Sequence, residues 1–549
     1  MKLALAQLNP IVGDLPGNRE RIAATIARAE EQGVDLAVFP ELSVAGYPPR
    51  DLVRKQQFVR DSVAAVEWLA ERCRRTAALV GFVRPTPGGQ GRPLQNAAAL
   101  LAGGKVQSVH VKTLLPTYDV FDETRYFEPG DAPACFEVAG TRVGLTICED
   151  LWDAEALGRR LYGEDPVARL TGQRAELIVN MAASPFQLGK PAQREDLLRR
   201  RAKRSGAGIV YVNQVGGNDE LIFDGGSCVV GADGALLARA ASFAEDLLIV
   251  GLEAGEQRRE EPGEEIAQLA AALRLGLRDY VRKCGFSSVV LGLSGGVDSA
   301  VVAALAADAI GPGNVHALAM PGRYSAPHSL EDAERLAENV GLRLRTLSIE
   351  TLHAAYEAAL SEALAGGDAG TTYENVQARI RGAIVMAVSN AFAHLPLATG
   401  NKSELSTGYC TLYGDMCGGL APIGDVLKTT VYELGRHLNV EAGFDRIPER
   451  TLTRAPSAEL KPDQVDQDKL PPYDVLDPIL ARYIEGDATA EAIIEQGFDA
   501  DTVRKVVRMV DVAEYKRKQA APVLKVTSRA FGSGRRMPIA QAYRPREGG

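Results

Sequence analysis

Residues 288–300 read SVVLGLSGGVDSA. The apolar run SVVLGL (288–293) has the length and composition of a buried strand, and Ala300 to Ile310 is an Ala/Val-rich helix. Between them stands Ser294-Gly295-Gly296-Val297-Asp298-Ser299. Glycines let the backbone approach a ligand closely, the N–H groups that open a helix face an anion, and two serine hydroxyls add donors. The stretch therefore predicts a strand, a phosphate-binding loop and a helix. It lacks the GxxxxGK[ST] pattern, whose lysine serves the β- and γ-phosphates, and it does not show the GxGxxG of a dinucleotide fold.

The alternation continues on the C-terminal side. VHALAM (315–320) reads as a second strand, about His328 to Val340 as a helix, LRLRTLSI (342–349) as a third strand, and Tyr373 to His394 as a long helix leading into PLATG (396–400). Repeated βα units predict a Rossmann-like parallel sheet with helices on both faces. On the N-terminal side, Ile266 to Lys283 has helical spacing. Before it, Glu253 to Glu265 (EAGEQRREEPGEE) is polar and carries Pro262-Gly263, as an exposed linker does. The expected divisions are a domain over 1–252, a linker over 253–265 and a second domain over 266–549.

Residues 1–252 hold shorter apolar runs: LALAQL (3–8), LAVF (36–39), ALVGFV (78–83), AAALLA (97–102), VGLTI (143–147), LIVNM (177–181) and IVYVN (209–213). They read as strands separated by helices and loops. Glu41 follows LAVFP, Lys112 follows VQSVHV and Cys148 follows VGLTI. Strand ends in a layered α/β fold bring distant side chains into one pocket. A cysteine, a glutamate and a lysine so placed can hydrolyse an amide. Cys148 would attack the carbonyl carbon, Glu41 would take its proton and later activate water, and Lys112 would stabilise charge on the oxygen. A nearby lysine also favours the thiolate of a residue whose unperturbed pKa is about 8.5. Taken singly, the three read equally as a buried cysteine, a surface carboxylate and a solvated lysine.

The whole-chain numbers exclude more than they assign. The 549 residues suit two or three domains, and 46% hydrophobic with 24% charged residues is ordinary for globular proteins. A net charge of -9 without a long basic run argues against nucleic acid as a partner. Asn9-Pro10 interrupts the N-terminus before a secretory apolar region develops, and no apolar run reaches the ~18 residues needed to span a bilayer, so a cytoplasmic location is expected. The seven cysteines are scattered without paired CxxC spacing, which suggests neither a disulfide framework nor a zinc site.

In their contexts, FPELSVAGYP, HVKTLLPTYDVFDETRYFEPG and ICEDLW, the three N-terminal residues resemble the nitrilase superfamily. The resemblance implies an αββα sandwich and a triad of Glu41, Lys112 and Cys148. In the glutaminase branch, Tyr47, Tyr118, Glu149, Ser184 and Lys190 fall at glutamine-binding positions, the last two within SPFQLGK. Glu149 and Lys190 suit opposite ends of a zwitterion. The two tyrosines read equally as half-buried aromatics, and Glu149 with Lys190 as a surface ion pair.

SGGVDS resembles the pyrophosphatase loop of ATP-dependent amidotransferases and synthetases, which cut ATP between its α- and β-phosphates. GMP, argininosuccinate and asparagine synthetases share it. NVQARIRG (375–382), TGNKSE (399–404), GYCTLYGD (408–415), LKTTVYEL (427–434), RAPSAEL (454–460), EYKRKQAAP (514–522) and SRAFGSGRRMPI (528–539) are similar to the NAD synthetase family in its glutamine-dependent branch. That resemblance implies ATP contacts at Leu291, Gly292, Leu293, Ser294, Gly295, Gly296, Val297, Asp298, Ser299 and Thr399. It implies deamido-dinucleotide contacts at Asn375, Arg379, Glu404, Asp415, Lys428 and Lys516, and Mg²⁺ held by Asp298 and Glu404. Asp298 could instead cap its helix, and Glu404 could be a solvated face residue. Ser457 and Lys516 lie in segments expected to close over the substrates.

The implied reaction converts nicotinic acid adenine dinucleotide into an acyl-adenylate with ATP, and ammonia from glutamine then displaces AMP to give NAD. Passing neutral ammonia on inside the protein avoids its protonation near pH 7, so a tunnel is implied, and the family implies a homo-oligomer through the second domain. The competing expectations are another glutamine-dependent ATP-pyrophosphatase amidotransferase and a catalytically silent regulatory binding protein.

Overall fold

The computed structural model describes residues 1–543 apart from 90, 132, 254–256, 368–369 and 462–463. The chain divides into two units, Met1–Glu265 and Ile266–Gly549. Of the expected linker, 254–256 lie outside the described residues. Beyond them, Arg239 donates to the Glu260 carbonyl at 3.0 Å and Arg258 pairs with Asp246, so this stretch follows the edge of the first unit.

The first unit runs β1 (Lys2–Gln7), α1 (Leu15–Glu31), β2 (Leu36–Val38), α2 (Gln56–Ala70), β3 (Ala77–Pro85), β4 (Leu94–Ala102), β5 (Lys105–Val111), β6 (Cys135–Val138), β7 (Thr141–Ile147), α3 (Pro166–Gly172), β8 (Leu177–Ala182), α4 (Lys190–Ser205), β9 (Gly208–Asn213), β10 (Val215–Asn218), β11 (Leu221–Asp224), β12 (Cys228–Val230), β13 (Leu236–Arg239) and β14 (Asp246–Gly251). Two six-stranded sheets form, ordered β14-β1-β2-β3-β4-β5 and β13-β12-β9-β8-β7-β6, with β10-β11 as a separate hairpin. Strand periodicity explains the layers. Leu3, Leu5, Leu36, Val38 and Leu79 point into a core shared with Leu145, Ile178 and Val210 of the second sheet. The intervening Ala4, Ala6, Ala37 and Ala78 face Ile22, Ile26, Val66 and Leu69 of α1 and α2. Strands covered on both faces read as continuous apolar runs. The product is the αββα sandwich.

The second unit runs α5 (Glu265–Lys283), β15 (Val289–Gly292), α6 (Val297–Ile310), β16 (Val315–Ala319), α7 (Pro327–Val340), β17 (Arg343–Thr346), α8 (Glu350–Leu360), α9 (Thr372–Phe392), β18 (Leu395–Leu397), α10 (Lys402–Thr407) and α11 (Lys428–Ala442), followed by shorter helices. Its sheet is parallel, in the order β17-β16-β15-β18. β17 is shorter than the apolar run suggested, because an edge strand with exposed Arg343, Arg345 and Thr346 has pairing on one side only. Val290 and Leu318 pack on Val385 of α9, while the alternate Val289 and Leu291 are buried towards the other face, on the side of α6. β16 and β18 flank β15, so the chain order reverses at β15. Ligands bind at the carboxyl ends of strands at such a switch point. No described helix is long and apolar enough to cross a membrane.

Candidate active sites

The first site is built from three strand ends. Glu41 sits in the turn after β2, Lys112 directly follows β5, and Cys148 directly follows β7 at the start of a short 3₁₀ turn, Cys148–Leu151. All three are buried. Lys112 Nζ donates to Glu41 Oε1 at 2.7 Å and to Glu123 Oε1 at 2.7 Å. Asn96 Nδ2 donates to Glu41 Oε1 at 2.7 Å, and the Ala183 N–H donates to Oε2 at 3.2 Å. The Glu41 carboxylate is thereby fixed from three directions.

Cys148 has φ +46°, a strained conformation for a residue with a side chain. Its surroundings hold it there. Asp150 accepts the Ile147 N–H at 2.9 Å and, through its other oxygen, the N–H groups of Thr113 and Leu114 at 3.1 and 2.7 Å. Asn180 Nδ2 donates to the Cys148 carbonyl at 3.3 Å. Asp150 thus ties the Cys148 turn to the segment carrying Lys112.

Burial, and then the Glu41 charge, hold the Cys148 thiol well above the ordinary cysteine range, with Lys112 pulling the other way. Lys112 does favour the thiolate, but desolvation of the anion outweighs this one cation, which is already shared by two carboxylates.

Glu123 escaped the sequence reading. It lies within the HVKTLLPTYDVFDETRYFEPG stretch, and its spacing of eleven from Lys112 carries no periodic signal. Burial raises it to about 7, Lys112 opposing. Tyr47 donates to Glu123 Oε1 at 2.9 Å, the same oxygen that accepts from Lys112. Tyr118 does reach Glu149, its hydroxyl 3.0 Å from both carboxylate oxygens. Ser184 is held through its N–H by Asn213 Oδ1 at 2.9 Å. Lys190 donates to the Pro185 carbonyl at 2.9 Å and lies over the Trp152 ring.

The second site opens at the carboxyl end of β15 onto a cavity of about 570 Å³. Gly292, Leu293, Ser294, Gly296, Val297, Asp298, Ser299, Asn375, Thr399, Glu404, Asp415, Lys428, Ser457 and Lys516 line it. Leu291 and Gly295 do not. Leu291 is fully buried in the sheet, and Gly295, at φ +79°, backs onto α7, where a Cβ would stand 2.2 Å from the Ser329 carbonyl oxygen. Only glycine fits there. Ser299 Oγ accepts the Ser294 N–H at 3.2 Å and donates to the Gly296 carbonyl at 3.0 Å, which shapes the loop.

Arg379 is exposed, its Nε donating to the Leu412 carbonyl at 3.2 Å, and it does not line the cavity. Two residues along a helix turn a side chain by about 200°. Arg381 lines the cavity instead, its Nε donating to the Met320 carbonyl at 3.0 Å. Burial lowers Arg381 to about 10. Asn375 Oδ1 accepts from Thr411 Oγ1 at 2.9 Å, Asp415 accepts the Thr411 N–H at 2.6 Å, and Lys516 Nζ donates to the Gly408 and Cys410 carbonyls at 2.7 Å each. These residues therefore share the GYCTLYGD loop.

Lys428 pairs with Asp298 and lies 3.5 Å from Glu404, while Asn401 Nδ2 donates to Asp298 Oδ1 at 2.9 Å. Burial, then the Asp298 charge, raise Glu404 to about 8. Asp298 and Glu404 are thus neighbours around one ammonium. Among the described residues no three acidic, histidine or cysteine side chains converge as a ready metal cage.

The fold and the two sites define the class, an amidohydrolase-type sandwich followed by a nucleotide-binding parallel-sheet unit. A family profile described as carbon-nitrogen hydrolase matches residues 2–259, and one described as NAD synthase matches residues 269–520. The glutamine-dependent NAD(+) synthetase of Synechocystis is 48% identical over 99% of each chain, and that of Thermotoga maritima 41% identical over 99% of each. The solved glutamine-dependent NAD+ synthetase of Acinetobacter baumannii, in complex with adenosine diphosphate, is 40% identical, with a TM-score of 0.78 and 98% of each chain covered. The chain belongs to the glutamine-dependent NAD(+) synthetase family.

Proposed function

We propose that the chain makes NAD from nicotinic acid adenine dinucleotide, spending ATP and taking its nitrogen from the side-chain amide of glutamine. The observation that carries this reading is the presence in one chain of a buried Glu41–Lys112–Cys148 set and of the SGGVDS loop opening on a cavity. At the first site, Cys148 Sγ attacks the amide carbon as Glu41 takes the thiol proton, and Lys112 faces the charge that develops on the oxygen. Glu41 returns the proton to the departing ammonia, leaving a thioester, and then activates the water that releases glutamate. Glu149 with Tyr118 receives the α-ammonium of glutamine, and Ser184 and Lys190 its carboxylate. Tyr47 acts one step back, through Glu123.

At the second site, the loop Ser294–Ser299 receives the phosphates of ATP, with Thr399 beside it. The pyridine carboxylate attacks the α-phosphorus, pyrophosphate leaves, and ammonia displaces AMP from the acyl-adenylate. Asn375, Asp415 and Lys516 form the deamido-dinucleotide side of the cavity, with Arg381 rather than Arg379 as the nearby guanidinium. Asp298 and Glu404 suit Mg²⁺, which is held by one or two carboxylates together with substrate phosphates and supplies neutralisation of the triphosphate charge. Lys428 balances those two carboxylates. We assign the enzyme to the cytoplasm, and to a homo-oligomer through residues 266–549.

The test is product stoichiometry with the deamido-dinucleotide, ATP, Mg²⁺ and glutamine. One AMP and one pyrophosphate are expected per NAD. ADP and phosphate as primary products would reject the reading, and a preference for XMP or aspartate as acceptor would reassign it to another amidotransferase.

A further inference from the structure

Glu149, the residue after the nucleophile, has a buried carboxylate that accepts from two phenols. Tyr118 OH spans both oxygens at 3.0 Å, and Tyr162 OH lies 2.9 Å from Oε1. Tyr162 comes from residues 152–165, between the nucleophile's turn and α3, and is half-buried. That segment has other anchors. Gln193 Nε2 donates to the Ala156 carbonyl at 2.8 Å, Arg201 Nη1 donates to Asp165 Oδ2 at 2.7 Å, and Arg200 pairs with Glu155. The segment is therefore held without the Tyr162 hydroxyl, which donates to the carboxylate.

Burial raises Glu149 above the ordinary carboxylate range, and the bonds from Tyr162 and Tyr118 oppose that rise. A phenol that donates to the ionised form favours it, and it also limits the rotation of the group. We propose that Tyr162 is a specificity-determining residue of the amidohydrolase site, orienting Glu149 towards the α-ammonium of an amino-acid amide so that glutamine is preferred over amides without an α-amino group. This rests on the assignment of Glu149 to the ammonium of glutamine.

The experiment compares the full-length wild type, Tyr162→Phe, Tyr162→Leu and Glu149→Gln, with the second-site substrates saturating. Ammonia-dependent product is read with glutamine and with glutaramate, which is glutamine without its α-amino group. The expected result for Tyr162→Phe is a fall of about tenfold in the ratio of kcat/KM for glutamine to that for glutaramate, the scale of one hydrogen bond to a charged group. The fall should come mainly from KM for glutamine. Tyr162→Leu should lower the ratio at least as far. An unchanged ratio in Tyr162→Phe, or equal losses on both substrates, would overturn the proposal. A wild type that does not prefer glutamine, or a Glu149→Gln variant with the wild-type ratio, would sink the Glu149 assignment and this inference with it. A lowered ratio in Glu149→Gln but not in Tyr162→Phe sinks the inference alone.

Discussion

Lys112 Nζ stands 2.7 Å from Glu41 Oε1 with both side chains buried, so neither can lose its partner cheaply. Removing one member of a buried pair strands the other and costs roughly 3–5 kcal/mol. Lys112→Met leaves Glu41 and Glu123 facing each other without their cation, and should lose glutamine hydrolysis by about 10³-fold or more together with a lower Tm. Glu41→Gln keeps the Lys112–Glu123 pair. It should remain folded by circular dichroism yet lose about 10²- to 10⁴-fold, the range for a general base. Hydrolysis above a tenth of wild type in either variant would contradict the roles assigned.

Glu123 predicts a pH dependence of stability. Its folded pKa, about 7, lies above the ordinary value of 4.5. Between these values the folded chain keeps a proton that the unfolded chain has released, so stability from this group falls as pH rises through the window. Above about 7 the deficit is constant. Glu123→Gln removes it, and its Tm relative to wild type should therefore climb from pH 5 to pH 7.5 and then level off. A difference that is flat or declining across that window contradicts the raised pKa.

Asp150 tests the coupling between the Cys148 turn and the segment carrying Lys112. Asp150→Ala leaves the buried N–H groups of Ile147, Thr113 and Leu114 without their acceptor. At about 1–3 kcal/mol for each unsatisfied group, the loss should be roughly 3 kcal/mol or more by chemical denaturation. Asp150→Asn can still accept with its oxygen but not with its amide nitrogen, and should fall between. Equal stability of all three proteins would remove the clamp.

Much of this was legible in the sequence because strands buried on both faces leave continuous apolar runs, and because the SGGVDS loop needs a glycine at 295, where no other residue fits. The placing of Glu41, Lys112 and Cys148 was legible for the same reason: Lys112 and Cys148 directly follow strands, and Glu41 comes three residues after one. Glu123 and Tyr162 were not, since one reaches its partner from a three-residue 3₁₀ turn and the other from irregular backbone, where spacing carries no period. Arg379 and Arg381 show the limit of motif matching. They are two apart in NVQARIRG, and only the helix's rotation decides which one faces the cavity. The pull of Lys112 on the thiol was legible because a charge neighbour can be seen in a sequence, and the larger, opposing effect of desolvation was not because burial cannot.

Asp298 and Glu404 serve only the second site in the proposed scheme. Asp298→Asn and Glu404→Gln should each lower NAD formation by about 10²-fold or more at low Mg²⁺, whether the nitrogen comes from glutamine or from ammonium, since several kcal/mol of charge stabilisation depend on metal placement. Raising Mg²⁺ should recover part of the loss. Wild-type rates at low Mg²⁺ in both variants would remove the pair from the metal site.

The last prediction separates the two chemistries, and it follows from placing the nucleophile in one unit and the phosphate loop in the other. Cys148→Ala deletes the sulfur that forms the thioester, so glutamine should no longer support NAD formation to within the limit of detection. Alanine is smaller than cysteine and fits the same buried turn, with Asp150 and Asn180 still holding the backbone at φ +46°. The fold should therefore survive, with a Tm within a few degrees of wild type. The SGGVDS loop, Asp298 and Glu404 are untouched. Ammonium supplied at high concentration and mildly alkaline pH contains enough neutral ammonia to act as nucleophile, and the variant should then make NAD within about twofold of the wild-type rate, since a substitution that leaves transition-state contacts at the second site intact leaves its kcat/KM unchanged. Substantial glutamine-dependent synthesis by Cys148→Ala would show that another group attacks the amide. Loss of the ammonium-dependent rate in a folded variant would show that the two sites do not work as separate chemistries.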